Sequence, residues 1–258
     1  MILNYIKIAW RNLTKQKLYS LINITGLAVG LAVCMMIMLY VAHEMSYDRF
    51  HKNGSRIFIP QAVIKIGGNN LGLEYMSYAA GPIIQQSQPA VEGYMRTLSY
   101  FRPVVASTTA APQAKFSEEH LLFADPDFFK FFSFKLITGS ANDVLNKPFS
   151  VVISQDMAKK YFGAADPIGK TITLKTDSAY TYQVTGVAEN APSNSSVVFN
   201  FVTPNQSLLA MKEAKRYVGD QQISFGSFSV YLLLKNGAAD TAPLNKEHGC
   251  NCQKEQGL

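Results

Sequence analysis

The chain has 258 residues and a formal net charge of +6, from 24 Lys and Arg against 18 Asp and Glu. Four of those cations (Lys7, Arg11, Lys15 and Lys17) precede the first acidic residue, Glu44, so the remainder is close to neutral and its charge gives no reason to expect nucleic acid. The three cysteines, Cys34, Cys250 and Cys252, leave the central part of the chain without a disulfide framework, so any domain there rests on its apolar core.

Residues 1–17 carry a helical pattern. Leu3, Ile6, Trp10 and Leu13 fall on one side of a wheel with Ile2 and Ala9, and Asn4, Lys7, Arg11 and Lys15 on the other; Ile8 is off the pattern. An apolar face with Trp and a basic opposite face suit a helix in the inner headgroup layer of a membrane. A cytoplasmic extension of the next helix is the alternative.

Leu18–Ala42 is a run of 25 residues without a charge. At about 1.5 Å per residue it reaches across a hydrocarbon core of roughly 30 Å, and no polar face interrupts it. It reads as a transmembrane helix. The cations before it place the N-terminus in the cytoplasm and residues from His43 onward outside. A cleaved signal peptide has a shorter apolar region, of about 7–15 residues. Within the span, Gly26 and Gly30 form a G-x-x-x-G with Asn23 one turn earlier on the same side. These three residues are the helix-packing candidates, because small residues allow close approach and a buried amide can bond across. The alternative is that glycine is merely common in membrane helices.

The remaining elements are of mixed type. Ile57–Ile66 reads as a strand ended by Gly67-Gly68-Asn69-Asn70, and Ala79–Gln88 as a short helix stopped before Pro89. Tyr94–Ala106 and Ala114–Phe123 read as strands, the first placed at an edge or bulge by Pro103. Ser154 fits an N-cap, Asp156 the first turn and Gly163 the stop of a helix. Thr171–Lys175 and Tyr180–Ala188 form a hairpin pattern around Thr176-Asp177-Ser178. Val197–Val202 is a strand, Asn205–Val218 a helix and Ser227–Lys235 a last apolar strand. Together these predict an α+β fold: one N-terminal transmembrane helix, then a mixed domain.

Enzyme chemistry finds no constellation. His43, His51, His120 and His248 make no ligand spacing, Ser154 lacks the glycines of a nucleophile elbow, and no G-x-x-x-x-G-K-[ST] is present. Asp125-x-Asp127 reads as a turn or helix cap rather than a cation site. Phe128, Phe129, Phe131 and Phe132 read as core. His248 with Cys250 and Cys252 makes a weak metal pattern without a second pair. The expectation is a protein that is not an enzyme, with no catalytic, cofactor or metal residues.

Glu44-Met45-Ser46-Tyr47-Asp48-Arg49-Phe50-His51-Lys52-Asn53 with Arg56-Ile57 directly follows the span. Ala124-Asp125-Pro126-Asp127-Phe128-Phe129, Val151-Val152-Ile153-Ser154, Met157–Gly163, Asp166-Pro167-Ile168-Gly169-Lys170, Val184-Thr185-Gly186-Val187 and Pro192-Ser193-Asn194-Ser195 come later in that order. This series resembles the N-terminal span and MacB-type periplasmic core domain of MacB/FtsX-like ABC transporter permeases. The resemblance implies a periplasmic domain over 43–237 of two lobes, one β-α-β-like near the chain ends and a β-rich lobe inserted near 106–195. It implies location in the bacterial inner membrane and partnership with an ABC ATPase subunit, a second permease copy and membrane lipids, with room for a periplasmic adaptor. The function implied is coupling of ATP hydrolysis to periplasmic movement for export or extraction. A single-span membrane-anchored periplasmic sensor or binding protein is the alternative. The resemblance fails after Gly237. Residues 238–258 are polar and without period, which predicts an irregular tail and an N-terminal fragment of a longer permease.

Overall fold

In the computed structural model, residues 2–66, 69–108, 111–219, 222–224, 226–236 and 250–253 are described. The chain divides into two units, Met1–Ser46 and Tyr47–Leu258.

The first unit is two helices, α1 (Ile2–Lys15) and α2 (Lys17–Glu44), separated at Gln16, whose φ of −110° and ψ of 60° are not helical although its N–H still donates to the Asn12 carbonyl at 3.1 Å. Tyr5, Ile6, Trp10 and Leu13 of α1 are exposed. No residue of α2 is buried, and its Leu, Ile, Val and Met side chains stand open along the whole length. At about 2 kcal/mol per large apolar side chain, keeping that surface in water costs on the order of tens of kcal/mol, so the solvent that suits α2 is lipid. It is the one helix among the described residues that is long and apolar enough to cross a membrane. Thr25 fits this setting, because its hydroxyl donates to the Leu21 carbonyl at 2.8 Å.

The second unit is built on a sheet. Its strands are β1 (Ile57–Ile66), β2 (Asn69–Leu73), β3 (Tyr75–Met76), β4 (Val91–Tyr100), β5 (Val104–Thr108), β6 (Ala111–Glu118), β7 (Leu121–Ala124), β8 (Leu136–Thr138), β9 (Ser150–Ser154), β10 (Thr171–Lys175), β11 (Ala179–Ala188), β12 (Phe201–Pro204), β13 (Phe228–Leu234) and β14 (Cys250–Gln253). The helices are α3 (Ala80–Ser87), α4 (Phe128–Phe131), α5 (Gln155–Phe162), α6 (Asn205–Ala210) and α7 (Ala214–Val218). Among the described residues the strand order is β14-β1-β13-β4-β7-β12-β9-β11-β10-β5-β6, with β2 beside β1, β3 beside β13 and β8 beside β11. Pairing is antiparallel except for β7 with β12 and β9 with β11.

The central strands are apolar on both faces. Every residue of β7, β9 and β12 is buried. Alternation sends Leu121, Phe123, Val151, Ile153, Phe201, Val230 and Leu232 into one core and Leu122, Ala124, Val152, Val202 and Tyr231 into the other. The second core is filled by Phe128, Phe129, Phe131, Phe132 and Phe134, with Phe128 stacked on Phe134 at 5.5 Å. The Phe-rich turn is therefore packing, as expected.

Several expected elements are divided by local backbone. The strand predicted over Tyr94–Ala106 breaks into β4 and β5 around Pro103, and that over Ala114–Phe123 breaks at His120, where φ is 59°. The helix predicted over Asn205–Val218 is two short helices, and the strand over Val197–Val202 starts only at Phe201. β1, β4, β13 and α3 come from near the two ends of this unit. The strands between them in sequence, β5 to β12, continue the same sheet through the β4–β7 ladder, from Thr97↔Ala124 to Tyr100↔Leu121. The expected tail of 238–258 also needs correction where it is described: Cys250–Gln253 is a strand, pairing with Ile59–Ala62 of β1. The rest of that tail lies outside the described residues.

Candidate functional site

Where the chain enters the sheet unit is the arrangement most relevant to a membrane-linked domain. β1 is the entry strand and β13 the last strand of the main sheet, and they lie side by side in antiparallel register, Ile57↔Leu233 and Phe58↔Leu232. After Phe58, β1 leaves this edge to make a hairpin with β2, and the chain returns as β3 against Phe228 and Ser229. Arg56 fastens the junction. Its Nε donates to the Leu234 carbonyl at 2.8 Å, and its guanidinium pairs with Glu92 at the start of β4. The Lys235 N–H donates to the Ala90 carbonyl at 3.0 Å. One side chain thus ties the start of β1 to β13 and to β4, the strand on the far side of β13.

Upstream of Arg56, the segment from Tyr47 to Asn53 is held from the other side of the sequence. The Asp48 N–H donates to the Asn194 carbonyl at 2.9 Å, and the Ser196 N–H donates to Asp48 Oδ1 at 3.0 Å. Asp48 has a φ of 54°, an uncommon conformation for a residue with a side chain, kept here by those two bonds. His51 is buried beside it against Phe132 and Phe134, ring centroids 5.4 and 5.1 Å away. Burial pushes the imidazole down to about 4, against the smaller upward pull of Asp48.

Deeper in, Arg96 on β4 and Asp125 at the end of β7 form a buried two-pronged pair. Nε donates to Oδ2 at 2.9 Å and Nη2 to Oδ1 at 2.9 Å. The Arg96 N–H also donates to Oδ2 at 3.0 Å, Nη1 reaches the Tyr78 carbonyl at 2.8 Å, and the guanidinium lies 3.7 Å from the Tyr78 ring centroid. Asn205, at the start of α6, donates Nδ2 to Asp125 Oδ1 at 2.9 Å. The network joins the chain-end part to the inserted part where β4 meets β7. Asp125 opens a turn, its carbonyl accepting from the Phe128 N–H at 3.1 Å as the sequence reading expected, and its carboxylate adds this network to that role. Asp127 pairs with Lys130 at 2.7 Å, so both carboxylates of the Asp-x-Asp are matched by protein cations. Sequence reasoning gave Arg96 no role, and the signal for this network in the sequence is only that single Arg within Val91–Tyr100.

The predicted packing residues Asn23, Gly26 and Gly30 are all exposed on α2. A Cβ added at Gly26 or at Gly30 would meet nothing within 4 Å. At offsets of three and seven residues the three share one stripe of the helix. Ser154 caps α5, accepting from the Met157 N–H, and Gly163 ends that helix at a φ of 61°. Among the described residues no group of three or more His, Cys, Asp or Glu is placed to hold a metal ion. His248 lies outside the described residues.

Comparison with solved structures agrees with this architecture. A domain from Porphyromonas gingivalis described as part of a permease protein superposes with a TM-score of 0.59 at 22% identity, covering 80% of this chain and 90% of its own. The periplasmic region of MacB from Actinobacillus actinomycetemcomitans gives 0.53 at 15% identity, covering 78% and 89%. The extracellular domain of the noncanonic ABC-type transporter YknZ from Gram-positive bacteria gives 0.50 at 13%, covering 76% and 99%. At these identities the likeness is one of fold. No curated relative matches the sequence. The profile of the MacB-like periplasmic core domain, a module of ABC transporter permeases, matches residues 20–245, most of the chain, which therefore belongs to that family.

Proposed function

We propose that this chain is a membrane subunit of an ABC transporter of the mechanical type. It couples a separate ATPase to movement of its periplasmic domain, for export or extraction of substrate outside the membrane. The observation that supports the reading is the side-by-side pairing of β1, the strand by which the chain enters the sheet, with β13, fastened by Arg56. A force delivered along the chain after α2 reaches β1 and passes directly into β13 and β4, the strands that line both cores. Such a domain can move as a rigid body between two arrangements of its anchors. No ATP-binding motif is present in the sequence, so the nucleotide chemistry falls to a partner subunit.

The inner membrane with a cytoplasmic N-terminus is the location this reading requires, on the strength of Lys7, Arg11, Lys15 and Lys17 before the span. The stripe of Asn23, Gly26 and Gly30 is the surface for a second permease helix, α1 lies against membrane lipids, and a periplasmic adaptor is a further partner compatible with the family. Co-purification of the full chain from crosslinked membranes tests the proposal. An ABC ATPase and a second permease copy are expected. Recovery of the chain alone, or a reporter fused after Lys235 that is active in the cytoplasm, overturns it.

A further inference from the structure

Asp48 and His51 form a buried polar pair that the transport reading does not use. Asp48 is fully buried and His51 is 5% exposed. Asp48 Oδ2 and both imidazole nitrogens of His51 have no hydrogen-bond partner among the described residues, and His51 Nε2 stands 3.7 Å from Asp48 Oδ1, beyond hydrogen-bond reach. Buried polar atoms are nearly always partnered, so three together in one small site mark a place where the fold tolerates a cost.

The surroundings decide which protonation state fits. Asp48 is the charged group that faces the imidazole. Phe50, on the same segment, lies 4.0 Å away between ring centroids, and Phe132 and Phe134 come from the turn after α4. Ser133, in that turn, has its hydroxyl engaged by the Lys52 N–H at 3.3 Å. The loop containing Asn194 and Ser196 meets Asp48 through a backbone carbonyl and an N–H. Arg49 and Lys52 are exposed. The site therefore offers a neutral imidazole an apolar bed and offers an imidazolium one carboxylate at less than ideal distance.

We propose that Asp48 and His51 are an acid-sensitive latch holding the segment that follows the membrane helix onto the loop around Asn194–Ser196, released when His51 takes up a proton. This does not depend on the transport reading, since it concerns only how residues 47–56 are held. The direction follows from linkage. The held imidazole has its pKa lowered to about 4, against 6.5 when released, so the latch is at full strength above pH 6.5 and weakens as pH falls from there toward 4. Between pH 7 and pH 5 these two values give about a 20-fold rise in the released fraction.

Hydrogen exchange of the full chain in detergent, corrected for intrinsic rates, tests this. Peptides covering 47–56 and 192–197 are expected to exchange about 20-fold faster at pH 5 than at pH 7, with β7, β9 and β12 unchanged. In His51→Phe the same peptides are expected to lose that acid response. An acid response absent from the wild type, spread evenly over the sheet, or retained in His51→Phe overturns the latch. Should that variant fail to fold, the wild type with ring-labelled histidine decides by NMR. One imidazole titrating below about pH 5 supports the latch, and all four titrating near the unperturbed value of about 6.5 overturns it.

Discussion

Removing the carboxylate of Asp125 exposes how much of the sheet unit depends on one buried ion pair. Asp125→Ala leaves the Arg96 guanidinium, 9% exposed, with two donors unmatched, and takes one bond each from the Arg96 N–H and from Asn205. Breaking a buried pair by deleting one partner costs about 3–5 kcal/mol, because the remaining charge is stranded. For a domain of this size each kcal/mol moves the midpoint by about 2–4 °C, so a fall of roughly 6–20 °C is expected. Trp10, the single tryptophan, lies in the helical unit, so its fluorescence does not report on the domain. Near-ultraviolet circular dichroism of the tyrosines in the detergent-solubilised chain does. The double variant Arg96→Met with Asp125→Asn removes both charges and leaves an acceptor for the residue-96 N–H. It is expected to be more stable than the sum of the single changes implies, by about 1–3 kcal/mol. Additivity within about 0.5 kcal/mol, or an Asp125→Ala midpoint within a degree or two of wild type, refutes the argument.

Three smaller perturbations probe other parts of the chain. Gly30→Leu is expected to weaken self-association in a membrane two-hybrid assay by a partial amount, whereas Val29→Leu, off the Asn23–Gly26–Gly30 stripe, leaves it unchanged; equal behaviour of the two removes the packing role. Ser154→Ala takes away the α5 cap and should cost about 1 kcal/mol in urea unfolding, with Ser154→Thr close to wild type. Gly226→Ala should be worse, because its Cβ would stand 2.3 Å from the Met76 carbonyl oxygen and 2.6 Å from the Ser77 nitrogen, backbone atoms that cannot step aside. Its midpoint is expected to fall by more than that of Ser154→Ala, and the reverse order would show that the β3 edge yields freely.

How much of this was legible in the sequence depended on whether the signal was local. The span, β1 and the β10–β11 hairpin were readable, since charge-free length and two-residue alternation are carried by adjacent residues. β9 was not, and β7 and β12 were met only in part, inside strands expected over Ala114–Phe123 and Val197–Val202. Their residues, Leu121–Ala124, Ser150–Ser154 and Phe201–Pro204, are buried on both faces. A short stretch buried on both faces shows no period that tells a central strand from any other buried stretch. The break at His120 was hidden for a related reason: a histidine with positive φ is held by the Asn200 and Phe201 N–H groups donating to its carbonyl, which no neighbour in sequence foretells.

The same distinction separates the readings of Asp48 and Asp125. Each lies in a short stretch that the family resemblance picked out, and only Asp125 carried a local reading, as a turn or cap. In the structure Asp48 is bound to the backbone of residues 194 and 196, and Asp125 to a guanidinium 29 positions earlier and an amide 80 positions later. Both sit where a segment of the chain must be fixed to a partner that arrives much later in sequence. At Asp125 a carboxylate suits that task because one group accepts from several donors at once, whereas at Asp48 the carboxylate accepts from the Ser196 N–H and the residue's own N–H makes the second tie. If the sheet unit transmits force as one body, these two ties carry the load. Asp48 holds the incoming chain, Asp125 holds the inserted strands to β4, and weakening the first should free the entry segment while leaving the sheet intact.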